Sequence, residues 1–526
     1  MPAITSKIEV ELSGVGNGWT EITPDVLTPI RIQYGIQGGG PTDRVASTGS
    51  LSLRLNNSPQ NSAKRRGYYS TIGGREGWSL GIRIRAQFRD PATATWYVKF
   101  VGSVSTITPI AGIYGSQQAL VVATDWIDEA ARGTVAGLAT QVNKRADEIL
   151  ALLIGNIPRA PYATALGVSD DTYPYALDTA RDDRPNPILQ EIARVTASEM
   201  GHFYQAGDGT VIFDPRFERV NRAVSVSLDN TMAGLEISSN RDQLLSRVQT
   251  IIHPRTVDTS AQVLYRLQSV PAIGIGETLT LVGGYTDPNA RAQRVGGTSM
   301  VTPVATTDYT ANGAADGSGT DYTGSITVAA TFGSNAVRWE ITNTAGVTVY
   351  LTKLQARGIG IYDYEQTVAE AEDQPLAAEF GEQVATIDMP YQSNVALGQE
   401  LATYLLRIFG PQTVSNFALG VAGRCELGET TRFADTNYGV VGSVRVSPTT
   451  AALQTEILAR DIGDVVSISE TMTRIDSRFV INAVDLEVRA PGIPYVTWTL
   501  SPYEVEPYWL LGTARASKLG QTTILG

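Results

Sequence analysis

The sequence predicts a mainly β protein with α+β insertions: two similar β-barrels, a small α+β module and an inserted β-sandwich. Three observations point there. Apolar and polar residues alternate with period two through much of the chain, as in strands that bury one face. The 51 Gly and 25 Pro supply turns between those runs. Two distant stretches, "SLGIRIRAQFRDPATATWYVKFVGSVSTI" and "DIGDVVSISETMTRIDSRFVINAVDLEV", read alike. Each runs from a Gly (Gly81, Gly463) into an alternating strand (Ile82 and Ile84; Val465 and Ser467), a polar excursion and an aromatic-led strand (Phe100-Val101; Phe479-Val480).

At 526 residues the chain exceeds one core, since domains usually fall near ~100–200 residues. The expected division is a first barrel at 1–130, an α+β module at 131–250, a sandwich at 268–362, a helix plus second barrel at 370–505 and a tail at 506–526.

Strands fill the first region, "KIEVEL", "IRIQY", "LSLRL", "LGIRIRAQF", "TWYVKFVGSV" and "ALVVATDW", and by themselves argue for a compact antiparallel sandwich or barrel. Helical spacing then takes over in "TQVNKRADEILALLIG", where Val142, Ala146, Ile149 and Leu153 share a face and Gly155 is the stop. A second helix is expected with Asn186 as N-cap, Pro187 at its first position, Ile188, Ile192 and Val195 on its apolar face and Gly201 at its end. "HFYQAGDGTVIFD" follows as a hairpin, its Asp208-Gly209 suited to a type I′ turn. Between 268 and 362 the composition shifts to Thr, Gly, Ala and Ser, with strands in "TGSITVAATF", "AVRWEITNT" and "VTVYLTKLQARG". Asn394 is expected to cap a helix whose Leu397, Leu401, Leu405 and Ile408 form one stripe, closed by Gly410-Pro411. Strands resume from about 414 to 500, and "ARASKLGQTTILG" is a polar tail ordered by a partner.

Charge and composition exclude some functions. A formal charge of −12 argues against holding nucleic acid by neutralising phosphate, although an acidic wall suits a channel through which DNA slides without sticking. Basic charge is nearly all Arg, which suits protein interfaces. Cys425 is the only cysteine, so no internal disulfide forms. The start "MPAITSKIEVELSG" lacks a basic segment followed by an apolar one, and no apolar run suits a spanning helix, so the chain is expected to be made and folded in the cytoplasm.

Catalytic and metal motifs are sparse. The two histidines, His202 and His253, read as structural: the first follows a helix end and the second precedes Pro254 in a strand. Glu199 and His202 have Glu-x-x-His spacing, but a di-iron site needs two such motifs plus further carboxylates. Asp308, Asp316 and Asp321 lie near glycines without the spacing of a calcium loop. Gly274 and Gly276 lack the third glycine of a dinucleotide fingerprint, and no Walker-type motif occurs. Paired carboxylates keep a glycoside-hydrolase reading open, with Asp125, Asp128 and Glu129 beside Trp126, and Asp170 with Asp171. Trp339 alternates with Val337 and Ile341 and so belongs to a core rather than to a sugar platform. We therefore expect no enzyme and no cofactor, metal or catalytic residue.

The stretch "GSLSLRLNNSPQNSAKRRGYYSTIGGREGWSLGIRIRAQF", with "YVKFVGSVSTITP" after it, resembles the start of tail-tip, or baseplate hub, proteins of tailed bacteriophages. "VVATDWIDEAARG", "NPILQEIARVTASEMGHFYQAGDGTVIFDPR" and "GDVVSIS…IDSRFVINAVDLEV…VTWTLSP" resemble later parts of the same family, in the same order. The resemblance spans most of 1–130, 185–265 and 365–512. It implies a virion protein at the distal end of the tail: a homotrimer whose paired hub barrels form a pseudo-sixfold ring closing the tail tube. Its implied partners are a distal tail protein or tube ring, a tape-measure protein, a tail fibre or spike and the host surface, with DNA passing through the lumen. The loop after "LSLRL" is then a contact arm on a neighbouring subunit, anchored by Lys64, Arg65, Arg66, Tyr68 and Tyr69, with a solvated hairpin tip as the alternative. The 268–362 segment resembles inserts of larger tail-tip proteins. A glycan-binding adhesin and a cell-wall or capsule hydrolase are the alternatives.

Overall fold

The computed structural model describes residues 3–111, 116–135, 138, 141–177, 186–220, 222–230, 232–238, 245–290, 295–333, 335–409, 440–471 and 475–503. Cys425, the Gly410-Pro411 terminator, the strands expected from 414 to 439 and the C-terminal tail lie outside these. No helix among the described residues is long and apolar enough to cross a membrane.

The protein is mainly β. Among the described residues its largest sheet has 13 strands and draws on both ends of the chain. From the first 130 residues come β1 (Thr5–Val10), β2 (Val26–Gly35), β3 (Ser47–Asn56), β4 (Arg83–Arg89), β5 (Trp96–Ile110) and β6 (Gln118–Thr124). The next helices are α1 (Trp126–Arg132), α2 (Ala146–Gly155) and α3 (Ile188–Glu199), followed by a hairpin of β7 (His202–Gln205) and β8 (Thr210–Asp214). Then come β9 (Val224–Leu228), β10 (Gly234–Ser238) and β11 (Arg247–Ile252). The Thr/Gly-rich region contributes β12 (Thr278–Gly284), β13 (Ile326–Phe332), β14 (Ala336–Asn343) and β15 (Val349–Asp363). After these, β16 (Thr367–Glu372), β17 (Val384–Met389) and α4 (Val395–Phe409) lead to β18 (Val440–Val446) and α5 (Ala451–Ala459). The last strands are β19 (Val465–Glu470), β20 (Ile475–Arg489) and β21 (Ile493–Pro502).

The large sheet repeats one arrangement. In the N-terminal unit the strands lie β4-β5-β6-β3-β2, and in the C-terminal unit β19-β20-β21-β18-β10. Numbered by chain order within each unit, both read 3-4-5-2-1. Local landmarks recur as well. The amides of Gly81 and Gly463, both at positive φ (+81° and +87°), donate to the carbonyls of Val104 and Ile481, whose own amides donate back to Ile82 and Asp464. One residue later each long strand bulges, at Ser105 opposite β6 and at Asn482 opposite β21. Following the ladders inward sets Ser52-Leu53-Arg54-Leu55 against Ser443-Val444-Arg445-Val446.

Two expectations change here. No sheet closes into a barrel among the described residues: the two units are halves of one open sheet, joined where β2 pairs with β20. The edge that would have closed the C-terminal unit on itself is used for that joint. The glycines of the repeat do correspond, but the aromatic-led strands slip in register. Val465 pairs with Val480 as Arg83 pairs with Ser103, which sets Phe479 against Gly102 rather than Phe100.

One apolar core runs under both units and the helices, taking in Ile32, Leu53 and Val121, Leu150 and Ile192, and Leu486 and Trp498. In α2, Ala146, Ile149 and Leu153 are buried as expected, but Val142 precedes the helix, which starts at Ala146 with Glu148 accepting the Arg145 amide at 3.0 Å. α3 starts one residue later than expected because Asn186-Pro187 is held extended against Thr134-Val135. Met200 (φ +58°), not Gly201, takes the left-handed position at its end. The β7–β8 turn is not a type I′ turn centred on Asp208-Gly209: the Gly209 amide donates to the Ala206 carbonyl at 3.0 Å, which centres the turn on Gly207-Asp208, and only Gly209 (φ +90°) turns positive. Asp208 instead accepts the Thr210 amide at 2.9 Å, giving a type I turn followed by a glycine bulge.

A second cluster joins the β12-β14-β13 sheet to strands paired along β15, around Leu264, Trp339 and Leu351. Trp339 is fully enclosed between Val337 and Ile341 in sequence and 4.7 Å from the Tyr265 ring. Trp339→Ala is expected to cost about 3–5 kcal/mol. Its protease sensitivity should rise within residues 264–356 while β2 and β20 stay protected. A third cluster packs α4 through Leu401 and Leu405 on β11 and β17, with Asn394 accepting the amides of Ala396 and Leu397 as the expected cap.

Candidate assembly interface

The joint between the units is built mainly of backbone. β2 runs antiparallel to β20 with Ile30 opposite Val488, Ile32 opposite Leu486 and Gly35 opposite Ala483. Alternation buries Ile30, Ile32, Leu486 and Val488 on one face. On the other face Arg31 meets Glu487 at 3.2 Å and Gln33 donates to Asp485 at 2.9 Å. Gly35 (φ +114°) ends the pairing at very close range, since a Cβ there would stand 2.4 Å from the Asn482 carbonyl oxygen.

Around this joint, segments far apart in sequence meet. From the connection between β18 and β19, which contains α5, Thr455 donates to Asp90 at 2.7 Å. Lys99 Nζ of β5 donates to the Arg460 carbonyl at 2.5 Å, and Asp461 accepts the Gly207 amide from the hairpin tip at 3.0 Å. Burial pushes Lys99 below and Asp461 above their ordinary values, and the Tyr34 hydroxyl beside them is raised by burial and by Asp461. A second network ties the hairpin to the C-terminal unit. Asp214 accepts Arg219 at 3.0 Å, Arg222 at 3.2 Å and the Tyr204 hydroxyl at 3.0 Å. Arg219 also donates to the bulge residue Asn482 at 2.9 Å, and Arg222 to the Gly463 carbonyl at 3.1 Å.

Within the repeated units two edges are open among the described residues; outside them β9 also pairs with β19 alone. β5 is flanked by β4 as far as Ser103 and then only by β6, leaving Thr106, Thr108, Pro109 and Ile110 exposed. β10 pairs with β18 alone.

The loop at 57–82 folds back on its own subunit more than the sequence suggests. Tyr69 is fully buried, donates to Asp25 at 2.6 Å and stacks edge-on against Trp78 at 5.2 Å, so it anchors the loop to its own sheet and not to a neighbour. Asp25 also accepts the Ser62 amide and hydroxyl. Tyr68 is half-buried beneath Arg75, while Lys64, Arg65 and Arg66 are exposed. Ile72, which the sequence reading passed over, stands 91% exposed. Only its position in a loop without periodicity hinted at this.

The carboxylates considered for hydrolysis are engaged separately. Asp128 pairs with Arg132 at 2.8 Å, Glu129 with Arg159 at 3.3 Å, and Asp171 with Arg216, while Asp170 is exposed. Trp126 is enclosed, its Nε1 donating to the Arg159 carbonyl at 2.9 Å, so it offers no sugar platform. Glu199 accepts from Tyr173 at 3.0 Å and from Arg216 at 3.3 Å, and burial raises it to about 7. His202 is buried with Nε2 3.2 Å from Arg44, and burial beside Arg219 and Arg44 holds it neutral. His253 contacts Asp388 at 2.7 Å. Asp308 pairs with Arg357 at 2.6 Å, while Asp316 and Asp321 close their own turns onto Ser318 and Thr323. A cavity of about 290 Å³ lies between the 41–45 loop, α3 and β17, and its Asp43 and Asp388 already serve the Gly40 amide and His253.

Asp125, just before α1, is buried, and burial raises its carboxyl to about 7 despite nearby amides. A folded value above the unfolded one gives stability that is full below the unfolded value and lost as pH rises through about 7. Asp125→Asn should therefore shrink the stability loss between pH 5 and pH 8 by roughly 1–3 kcal/mol, read by urea unfolding. An unchanged slope would contradict this assignment.

No protein-family description and no curated protein matches the chain. Among solved structures it is similar to the 43 kDa tail protein of prophage MuSo2 from Shewanella oneidensis, at 8% identity over 95% of this chain and 98% of that one, with a TM-score of 0.47. The tail protein from Neisseria meningitidis MC58 gives 9% identity, 95% and 96% coverage and 0.47. These neighbours are phage tail proteins. Prophage tail protein gp18 from Listeria monocytogenes EGD-e gives 8% identity, 95% and 94% coverage and 0.38.

Proposed function

We propose that this chain is a structural tail-tip, or baseplate hub, protein of a tailed phage, without enzymatic activity. The observation that carries the reading is the repeated five-strand unit, with the same strand order, glycine start and bulge in both copies, joined edge to edge. Three such chains present six like units, which matches a threefold cap to a sixfold tube. On this reading 1–130 and 370–505, together with β10 (Gly234–Ser238), supply the hub units, and the rest of 131–250 and 268–362 project from them. The ring anchors distal tail, tape-measure and fibre components at the distal end of the tail. The sequence resemblance, and the acidic charge expected of a lumen that lets DNA pass, agree with it.

The test is particle mass by light scattering followed by imaging of the full chain. A trimer with threefold symmetry is expected; a monomer, or a closed dimer, would overturn the reading. The exposed tip of the 57–82 loop, Lys64, Arg65, Arg66 and Ile72, is the arm that touches the neighbouring subunit. Ile72→Asp should weaken the trimer without lowering the unfolding temperature of the subunit, and an unchanged trimer would remove the arm.

A further inference from the structure

We infer that a second copy of this chain fills the open edge of β5, adding its β10 beside Thr108–Ile110 so that Glu236 lies opposite Ile110. This rests on the hub reading and deepens it by naming the strands that join subunits.

The argument comes from the joint inside the chain. On β20 one edge is fully used: β19 covers its first part as far as Val480, and β2 covers Ala483–Val488. On β5 the same edge is used only in part. β4 and the Gly81-Ile82 turn cover it as far as Val104, and no described strand follows. The missing strand is the counterpart of β2. In the C-terminal unit that counterpart is β10, which pairs with β18 as β2 pairs with β3, and whose other edge is open. Within one chain β10 already sits at the far end of the sheet, so the strand beside β5 has to come from another copy.

The ladders fix the register. Arg31 lies opposite Ser52, and Glu236 opposite Ser443, the residue equivalent to Ser52. Arg31 pairs with Glu487, which follows the Asn482 bulge by the same number of residues as Ile110 follows the Ser105 bulge. Glu236 therefore corresponds to Arg31 and Ile110 to Glu487. Ile110 is 39% exposed, and an unpaired edge with accessible N–H and C=O groups is a template for another strand. Pro109 has no N–H to donate on this edge, so the pairing forgoes one ladder hydrogen bond opposite Ile237. These two edges differ from each other, so the contact is head-to-tail, and it closes into a ring when each subunit turns a third of a circle, as the hub reading requires.

The test uses the full chain with Cys425→Ser, carrying Glu236→Cys and Ile110→Cys, and a second version carrying Ser238→Cys and Thr108→Cys. A short bis-maleimide should give covalent dimers and trimers with either pair. Little product is expected from each single variant, or from Glu236→Cys combined with the exposed Val282→Cys. A trimer by light scattering in which neither pair cross-links would overturn this joint and leave the hub reading standing. A monomer at every concentration would overturn both.

Discussion

Gly35→Ala is expected to destabilise the protein by roughly 2–5 kcal/mol and to part its two halves. The added methyl meets backbone first, the Asn482 carbonyl oxygen at 2.4 Å and the Ala483 Cα at 2.7 Å, with the Ile462 Cδ1 next at 2.9 Å, so moving that side chain alone gives no relief. The φ of +114° is also one that an L side chain rarely adopts. Relief requires β2 to move away from β20, and that pairing holds the N-terminal unit to the C-terminal one. Hydrogen exchange should accelerate at residues 30–35 and 483–488 before it does in β12 and β14, and the urea midpoint should fall. An unfolding free energy unchanged within about 0.5 kcal/mol, the size of an ordinary surface substitution, would mean that the joint carries little of the fold.

Asp214→Ala should cost about 3–5 kcal/mol, the usual penalty for removing one partner from a buried ionic network. The loss leaves Arg219 without its 3.0 Å carboxylate, takes one partner from Arg222 and removes the acceptor of the Tyr204 hydroxyl. Arg219 is almost wholly buried and stacks on Tyr204 at 5.1 Å, so water cannot replace the carboxylate. Pairing Asp214→Ala with Arg219→Met should recover part of the loss, because the stranded charge goes too while its apolar stem is kept. Thermal unfolding of the two variants decides this. If the double variant is less stable than Asp214→Ala alone, the penalty lies in packing and not in charge.

Much of the secondary structure was legible because its signals are local. The stripe of Leu397, Leu401 and Leu405 with Asn394 ahead of it marked α4, and alternation marked β3, β14 and β21. Boundaries moved where tertiary contacts intervened, as at Asn186-Pro187, drawn into an extended pair with Thr134-Val135. The repeat was half-visible. Gly81 and Gly463 correspond, but the aromatic-led strands are out of register, and the clearer signal is Ser52-Leu53-Arg54-Leu55 against Ser443-Val444-Arg445-Val446. Tyr69 misled because a loop aromatic beside Arg and Lys reads as an interface anchor, whereas Asp25 and Trp78, both distant in sequence or loop, turn it inward.

The sequence by itself determined that this is a mainly β protein with helical insertions, because the spacing of apolar side chains fixes which face each segment buries. Only the tertiary structure decided that the two β units share one open sheet, and which edges are joined and which are left free. Strand pairing runs through backbone amides and carbonyls that are the same in nearly every residue. Their partners are therefore chosen by the packing of the whole chain.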